Sequence, residues 1–467
     1  MKKIYLAIFA VLMLLPLNMD AQALKGSYFM ENSLMRNKLN PAFTPSANYV
    51  SIPALGNLGL GVQSNIGVAN FLFPVDGTLY TYLNNNVSFE EFDSKLPKNP
   101  YLNLDVDLDV IDFGFRFGKH SYMTVQAGLN VDAQVQMARE LFTFAKLGMK
   151  DANTTYVLND FNIYQNTGLH FGVGYSYDFS DLVPGLKAGI KGKFLVGADH
   201  VAMKMGESQI SMSEDEWKVK TDATAQIAAS FLKLDVADGV ENMKPVTDFS
   251  KIAPAGYGFA VDLGVEYRLS VGSIVDGLTV SFAALDLGAT TYGIKNVQSL
   301  KSAGEAGFSG FTGISMDDYD FDAHMKEVTD EFMQLANLEE VKTEKAMTVS
   351  AQPKLLLGVE MPFVHDMMSA GILYSNKFAY TGDIHELTLS YNLTPTNWFN
   401  FGLNYSMLNT AKSLGWLIEF MAPNGVDFFI GSDYTYLNFT PQFLPVDRFC
   451  LNMRFGLSAT FGGNKRK

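Results

Sequence analysis

Phe449-Cys-Leu-Asn-Met-Arg-Phe-Gly-Leu-Ser-Ala-Thr-Phe461 is the stretch that decides the fold. One face reads Phe449, Leu451, Met453, Phe455, Leu457, Ala459 and Phe461, and the other reads Cys450, Asn452, Arg454, Gly456, Ser458 and Thr460. An unbroken period of two marks an extended strand, because successive side chains of a strand point to opposite faces. The pattern recurs upstream. Leu169, Phe171, Val173, Tyr175, Tyr177 and Phe179 stand opposite His170, Gly172, Gly174, Ser176 and Asp178. Tyr257, Phe259, Val261, Leu263, Val265 and Tyr267 stand opposite Gly258, Ala260, Asp262, Gly264, Glu266 and Arg268, and Phe399 to Met407 repeats the arrangement.

Two architectures make such strands: a soluble sheet with its apolar face inward, and a membrane barrel with its apolar face outward. The polar face separates them. It is dominated here by Gly, Ser, Asn and charges of both signs, which suit a crowded, wet lumen better than a solvent face rich in Lys, Glu and Thr. Aromatic residues also gather at strand ends, as at Tyr175 and Tyr177, Trp398 and Phe399, and Tyr434 and Tyr436, where interfacial girdles lie. The expected fold is therefore all-β: a transmembrane antiparallel β-barrel of about 14 strands, with long outer loops and a helical loop insert.

Composition agrees. Of 467 residues 48% are hydrophobic and 18% charged, which excludes disorder, and 40 glycines beside 13% aromatic residues fit strands and tight turns. A net charge of −14 repels phosphate backbones, so nucleic acid is excluded as a partner. The single cysteine, Cys450, allows neither an intrachain disulfide nor a thiolate zinc site.

Lys2 and Lys3 precede the apolar run Ile4 to Leu17, and Ala21-Gln22-Ala23 supplies small residues for cleavage, which reads as a secretory signal peptide over residues 1–23. The run would span only about 21 Å as a helix, too short for a hydrocarbon core of about 30 Å. Export to the outer membrane, with outer-membrane lipid around the barrel, follows. Residues 24–56 are assigned to an N-terminal segment and corner, a candidate plug, and residues 57–467 to the barrel, with inserts at 212–254 and 299–345. Candidate strands centre on residues 57–65, 109–118, 121–136, 166–179, 186–204, 217–230, 256–269, 277–289, 346–361, 367–377, 384–394, 398–408, 413–421, 426–437 and 449–461. Short connections such as Lys119-His120 and Thr396-Asn397 are expected at the periplasmic end. In the larger insert, Asp317, Asp318, Asp320 and Asp322 lead into Phe321, Met325, Val328, Phe332, Leu335 and Leu338 at helical spacing, so an amphipathic helix is expected there.

Chemistry is sparse. The histidines form no HExxH pair, so no metal and no cofactor are expected. Asp105, Asp107 and Asp109 begin like a calcium loop, but Val110 stands where the required glycine would be, and their alternation on one side of a strand reads as a solvated or lumen-facing acidic stripe. His170 and Ser176 lie about 20 Å apart along one strand and cannot form a catalytic pair, so no catalytic residue is assigned. Asp112, Arg116, Lys187, Lys191, Lys193, Asp262, Glu266, Arg268 and Arg454 all fall on polar faces, and their mixed signs suggest charge pairs that fill the lumen. Arg116, Arg268 and Arg454 are the expected centres of that network.

Ahead of the first strand, Leu39-Asn40-Pro41-Ala42-Phe43-Thr44-Pro45 makes a rigid corner, because Asn40 can bond its own backbone and Pro41 fixes the turn. With Leu104 to Gly118, this corner resembles an outer-membrane family of Bacteroidota filed as a domain of unknown function. That family looks related to the PorP/SprF barrels of type IX secretion and gliding, which carry a similar Asn-Pro-Ala-Tyr/Phe corner. The element Asn40, Pro41, Ala42 is also similar to one in FadL-type barrels that transport hydrophobic compounds, from which Phe43 departs. The resemblance implies no catalytic residue. It implies a non-enzymatic outer-membrane barrel acting as a scaffold or anchoring component for envelope or secretion-system proteins. A passive or FadL-like transporter of small or hydrophobic molecules, with Asn40 to Pro45 as its hatch, is the alternative.

Overall fold

The computed structural model describes residues 24–467 except 152, 214–216, 236–243, 270–276, 303–304, 309–337, 409–411, 423–424, 436–449 and 463–467. The leader lies outside the described residues, as does the amphipathic stretch expected near Phe321 to Leu335. Its last residue, Leu338, instead opens a strand, Leu338–Val341, whose backbone is taken up by pairing with Val297–Ser302.

Fourteen antiparallel strands close into a barrel. In chain order they are β1 (Asn48–Ser51 and, after an excursion, Leu58–Ser64), β2 (Tyr101–Phe117), β3 (Ser121–Gln136), β4 (Asn162–Asp178), β5 (Leu186–Met205), β6 (Gly256–Leu269) and β7 (Leu278–Tyr292). They continue as β8 (Lys354–Phe363), β9 (Met368–Ala379), β10 (Gly382–Thr396), β11 (Phe399–Leu408), β12 (Lys412–Met421), β13 (Val426–Thr435) and β14 (Cys450–Phe461). The ring is closed by β1, which pairs with β14 at Ser51↔Ser458 and Leu58↔Phe455 and with β2 at Leu58↔Leu108. A closed ring leaves no unpaired edge, the condition for crossing a bilayer with strands.

The wall begins at Asn48, earlier than the expected residue 57, because the excursion at Ile52–Asn57 splits β1 and breaks its alternation. The candidate strand at 217–230 is not part of the wall. It divides into Trp217–Lys220 and Ala223–Ala229, and the reason is the length of β5. Its lower part, Leu186 to Gly197, pairs with β6, whereas its overhanging end, Asp199 to Met205, pairs with Ala223–Ala229. Short turns gather at one end of the barrel, including Gly118 to His120, where Gly118 takes φ +64°, and Asn397-Trp398. Longer connections gather at the other end and fold into a crown. There the helix α1 (Phe89–Lys95) is capped by Ser88, whose Oγ accepts from the Glu91 amide at 3.1 Å, and it buries Phe92 against Phe73, Val87 and Leu96. A second short helix, α2 (Arg139–Leu147), completes the helical content apart from single 3-10 turns, among the described residues. No described helix is long and apolar enough to cross a membrane.

The two faces of the wall are inverted relative to a soluble protein. Phe259 is 70% exposed and Ile372 51%, while Arg454 is 0% and Asp262 1% exposed. Along β14, Asn452, Arg454, Ser458 and Thr460 are buried in the lumen and Met453 and Phe461 face outward. An apolar belt around a polar interior is a liability in water and an asset in lipid. Rings gather at the short-turn end of the belt, Phe117 tilted against Tyr175 at 6.1 Å and Trp398 stacked on Phe420 at 6.3 Å. Tyr434 does not join such a girdle: it is buried in the lumen, with its hydroxyl 2.7 Å from Glu386.

Candidate functional site

Residues 24–47 lie inside the barrel, wound as the 3-10 turns Lys25–Ser27 and Leu34–Lys38, and all but a few of them are buried. Glycines on the inner faces of the strands make the room. A Cβ on Gly189 would fall 2.0 Å from the Pro41 carbonyl oxygen, one on Gly264 2.0 Å from Asn40 Oδ1, and one on Gly371 2.4 Å from the Phe29 ring. At these positions the glycine of the polar face is the imprint of this segment on the wall. Tyr28 packs edge-on to Phe29 and Phe43, each at 4.9 Å, and forms with Leu39, Leu356 and Leu373 an apolar cluster inside the polar lumen.

Polar contacts tie the segment to the wall all round. Lys25 pairs with Glu386 of β10, and its Nζ lies 3.0 Å from the Tyr434 hydroxyl. The amides of Lys25 and Gly26 donate to the two oxygens of Asp433 at 2.8 and 3.0 Å. Lys38 pairs with Asp109 and lies 3.0 Å from Asp112, both on β2. Burial alone would lower the Lys38 ammonium, but the two carboxylates outweigh it and hold this group above its ordinary value. In the corner, Asn40 Oδ1 accepts from the Ala42 amide at 2.9 Å, the local turn its sequence implied. Its Nδ2 reaches out to the carbonyls of Val265 and Phe282 at 3.3 and 3.2 Å. Pro41 accepts from Ser176 at 2.5 Å, and Arg36 lies 4.0 Å over the Phe43 ring.

The charged residues singled out in the sequence have varied partners. Asp112 faces Lys38 and accepts from Tyr49 at 2.9 Å. Lys191 donates to Gln126 at 2.8 Å, and beside it Lys193 bridges Asp262 at 2.8 Å and Asp286 at 2.6 Å. Glu266 lies 2.9 Å from Lys187 and 3.9 Å from Arg36. Arg268 binds Glu31 at 3.0 Å and Asp366 at 2.7 Å near the short-turn end. Arg454 binds Asp107 at 2.9 Å and Asn57 at 2.7 Å. Arg116 is different. It is exposed at the mouth, where it donates to the Pro45 carbonyl at 3.1 Å and lies 5.6 Å from the Tyr122 ring, because β2 has by then run past the buried lumen. Among the described residues these side chains are spread along the lumen wall. They form several ion groups, most of them between neighbouring strands or between the wall and the inner segment.

Above the inner segment, toward the crown, the lumen keeps a cavity of about 250 Å³. Its lining includes Asp105, Asp107 and Asp109, Lys191 and Lys193, Asp262 and Asp286, Lys354 and Lys377, and Lys25 and Lys38 form part of it. Lys377 lies 3.2 Å from Asp105 and 3.0 Å from Asp132, and His170 Nδ1 lies 2.6 Å from Asn130 Oδ1. Sequence reasoning missed Lys25, Lys38, Lys377 and Glu386. The acidic stripe on β2 demanded counter-cations, but nothing along the chain said which lysines would supply them.

A closed barrel with an Asn-Pro-Ala corner packed inside it is thus on hand, and the family pattern matching the chain runs from that corner to the inner carboxylate of β13. The chain belongs to a family of unknown function, DUF5723, matched over residues 41–433. No curated protein matches this DUF5723 chain in sequence. Among solved structures it is similar to the toluene transporter TbuX of Ralstonia pickettii, at 10% identity and a TM-score of 0.39, over 90% of this chain and 92% of that one. It is similar to the toluene transporter TodX of Pseudomonas putida, at 9% identity and a TM-score of 0.30, over 95% and 96% of the two chains. A third similar structure is the translocator domain of the autotransporter NalP from Neisseria meningitidis, at 8% identity and a TM-score of 0.31, over 90% of each chain. Among the described residues, no group of three or more His, Cys, Asp or Glu side chains is placed to hold a metal ion.

Proposed function

We propose that this chain is a non-enzymatic outer-membrane channel for small polar solutes, in which residues 24–47 are the plug. The observation that carries this reading is the cavity of about 250 Å³ lined by charges of both signs directly above the inner segment. A hydrophobic solute would have to strip water from those ion pairs without replacing it, whereas a polar solute can exchange hydrogen bonds with them. Export by cleavage after Ala23 is part of the proposal, and the mass of the purified protein, starting at Leu24, checks it. Reconstitution into liposomes tests the channel itself. Swelling rates should rise with small polar solutes, and rise further when Lys25 and Lys38 are both replaced by Met. A lumen silent to solutes and to ions in both proteins would overturn the reading.

A scaffold for envelope or secretion-system proteins, as the resemblance to PorP/SprF barrels implies, is the second reading. The folded crown at the long-loop end favours it, since α1 and its aromatic cluster give a partner a rigid surface. Loss of surface-protein secretion on gene deletion, with a non-conducting purified barrel, would select this reading instead.

A further inference from the structure

We propose that the turn between β9 and β10 is a gate that shuts the cavity on its crown side, latched by Gln134 of β3. In the ring of fourteen, β9 stands seven places from β2 and six from β3, so contacts among them cross the lumen instead of following the wall. Lys377 of β9 makes the lower rung, to Asp105 at 3.2 Å and Asp132 at 3.0 Å. Gln134 makes the upper one. Its Nε2 donates to Gln352 Oε1, just ahead of β8, at 2.5 Å and to Asp132 Oδ1 at 2.6 Å. Its Oε1 accepts from the amide and the hydroxyl of Thr381, both at 3.2 Å. Beside it Tyr380 stacks on Tyr164 of β4, with 5.2 Å between ring centroids, and donates to the Ser350 carbonyl at 2.6 Å.

The upper rung lies just beyond the cavity. Asp132 and Lys377 line it, whereas Gln134, two residues farther along β3 toward the crown, and Tyr380 and Thr381, past the end of β9, do not. Gln134 is completely buried, and both hydrogens of its amide and its carbonyl oxygen are engaged. Two backbone features fit a part that moves. Gln352 reaches the latch from φ +54°, a left-handed conformation that costs a non-glycine residue strain. Gly382, at φ +116° and with open space where a Cβ would stand, gives the turn a joint. Neutral hydrogen bonds and a ring stack hold the turn to β3 and β4, each of modest net strength. Opening therefore needs only the Gln134 side chain to release Thr381 and Gln352 and the turn to swing outward, with the ladder of the wall intact. The gate serves the channel reading above, but the contacts that define it do not depend on net passage.

Cysteine labelling of the full mature protein tests the gate. In a Cys450→Ser background, Ser375→Cys puts a reporter in the cavity wall and Glu207→Cys puts a control on the exposed crown. A small, charged maleimide should label the reporter at least about tenfold more slowly than the control, because it enters only when the turn opens. Adding Gln134→Met should speed the reporter by about tenfold, the effect of losing the hydrogen bonds between latch and turn, and leave the control unchanged. Tyr380→Ala should act in the same direction by removing the ring stack, and it carries the test if Gln134→Met lacks the heat-modifiable mobility of a closed barrel. Residues 24–47 should stay protease-resistant in both variants, which separates an opened gate from an unseated plug. Labelling of the parent reporter as fast as the control, or a rate that neither variant changes, would overturn the gate. Labelling needs entry and not passage, so liposome swelling that stays silent while labelling responds would count against the channel alone.

Discussion

Gly189 lies so close to Pro41 that a Cβ at position 189 would fall 2.0 Å from the Pro41 carbonyl oxygen, which also accepts a hydrogen bond from Ser176. The obstacle is a main-chain atom, so it cannot swing aside. At Gly264 the obstacle is the Asn40 side-chain Oδ1, 2.0 Å from a Cβ there and held in place by the Ala42 amide. The corner Asn40 to Phe43 is therefore seated in a socket that only glycine can line.

Replacing either glycine by alanine should push the corner out of its socket without opening the wall. The overpacking is worth about 1–3 kcal/mol, and the segment escapes it by unseating. Limited proteolysis should then cut within residues 24–47 in Gly189→Ala and Gly264→Ala, while both variants keep the heat-modifiable mobility of a closed barrel. Resistance to protease equal to that of the wild type would show that the socket is looser than its geometry says.

Lys38 gives the inner segment a second hold. Replacing it by Met leaves Asp109 and Asp112 buried without their cation, and removing one partner of a buried ion group costs about 3–5 kcal/mol. The pH dependence has a definite sign. A lysine held above its ordinary value contributes fully below about pH 10.4, and the contribution is lost as pH rises through the elevated value. Seating in the wild type should thus be flat with respect to this group from neutral pH to about pH 10 and weaken only beyond. Protease protection measured between those limits should differ between Lys38→Met and the wild type by a constant amount. Convergence of the two near neutral pH would mean that Lys38 is not the cation holding β2.

What the sequence conveyed best was the wall. A strand declares its two faces by alternation, and the inverted sense of Phe259 and Arg454 follows from which face carries Gly, Asn and charge. The start of the wall was hidden because Asn48–Ser51 is only four residues long and is separated from the rest of β1 by Ile52–Asn57. The strand Ala223–Ala229 alternates as wall strands do, and only the overhang of β5 explains why it pairs above the rim. The candidate site was legible in half. Asp112, Lys191, Asp262, Glu266, Arg268 and Arg454 could be placed on inner faces, since that depends on local register. Their partners could not, because ion pairs such as Lys25 with Glu386 join positions hundreds of residues apart through a barrel that exists only after closure.

Ile372 and Ser375 sit on opposite faces of β9 and give a test of the membrane itself. Ile372 is 51% exposed on the outer belt, and Ser375 lines the charged cavity. Ile372→Arg should destabilise the barrel by about 2–4 kcal/mol when it folds into lipid, and Ser375→Arg by much less. Denaturant titration in phospholipid vesicles measures both. Equal losses would mean that the outer belt does not meet a hydrocarbon core.

Arg454 and Asp107 are the sharpest place to test how the ring closes. The Arg454 guanidinium is completely buried on β14, binds Asp107 on β2 at 2.9 Å, and reaches Asn57 at 2.7 Å where β1 resumes after its excursion. One side chain thus spans the first strand to tie its two neighbours together, at the point where β1 is broken. Arg454→Met should lose about 3–5 kcal/mol, because Asp107 is left in the lumen without its cation. Asp107→Asn in the same chain removes that orphaned charge, so the double variant should recover part of the loss, and the cycle yields the coupling between the two residues. The measurement is the temperature at which the fast-migrating, unheated band gives way to the slow one. Strict additivity of the two single variants would show that the pair does not hold the seam, and that β1 is retained by its backbone ladder alone.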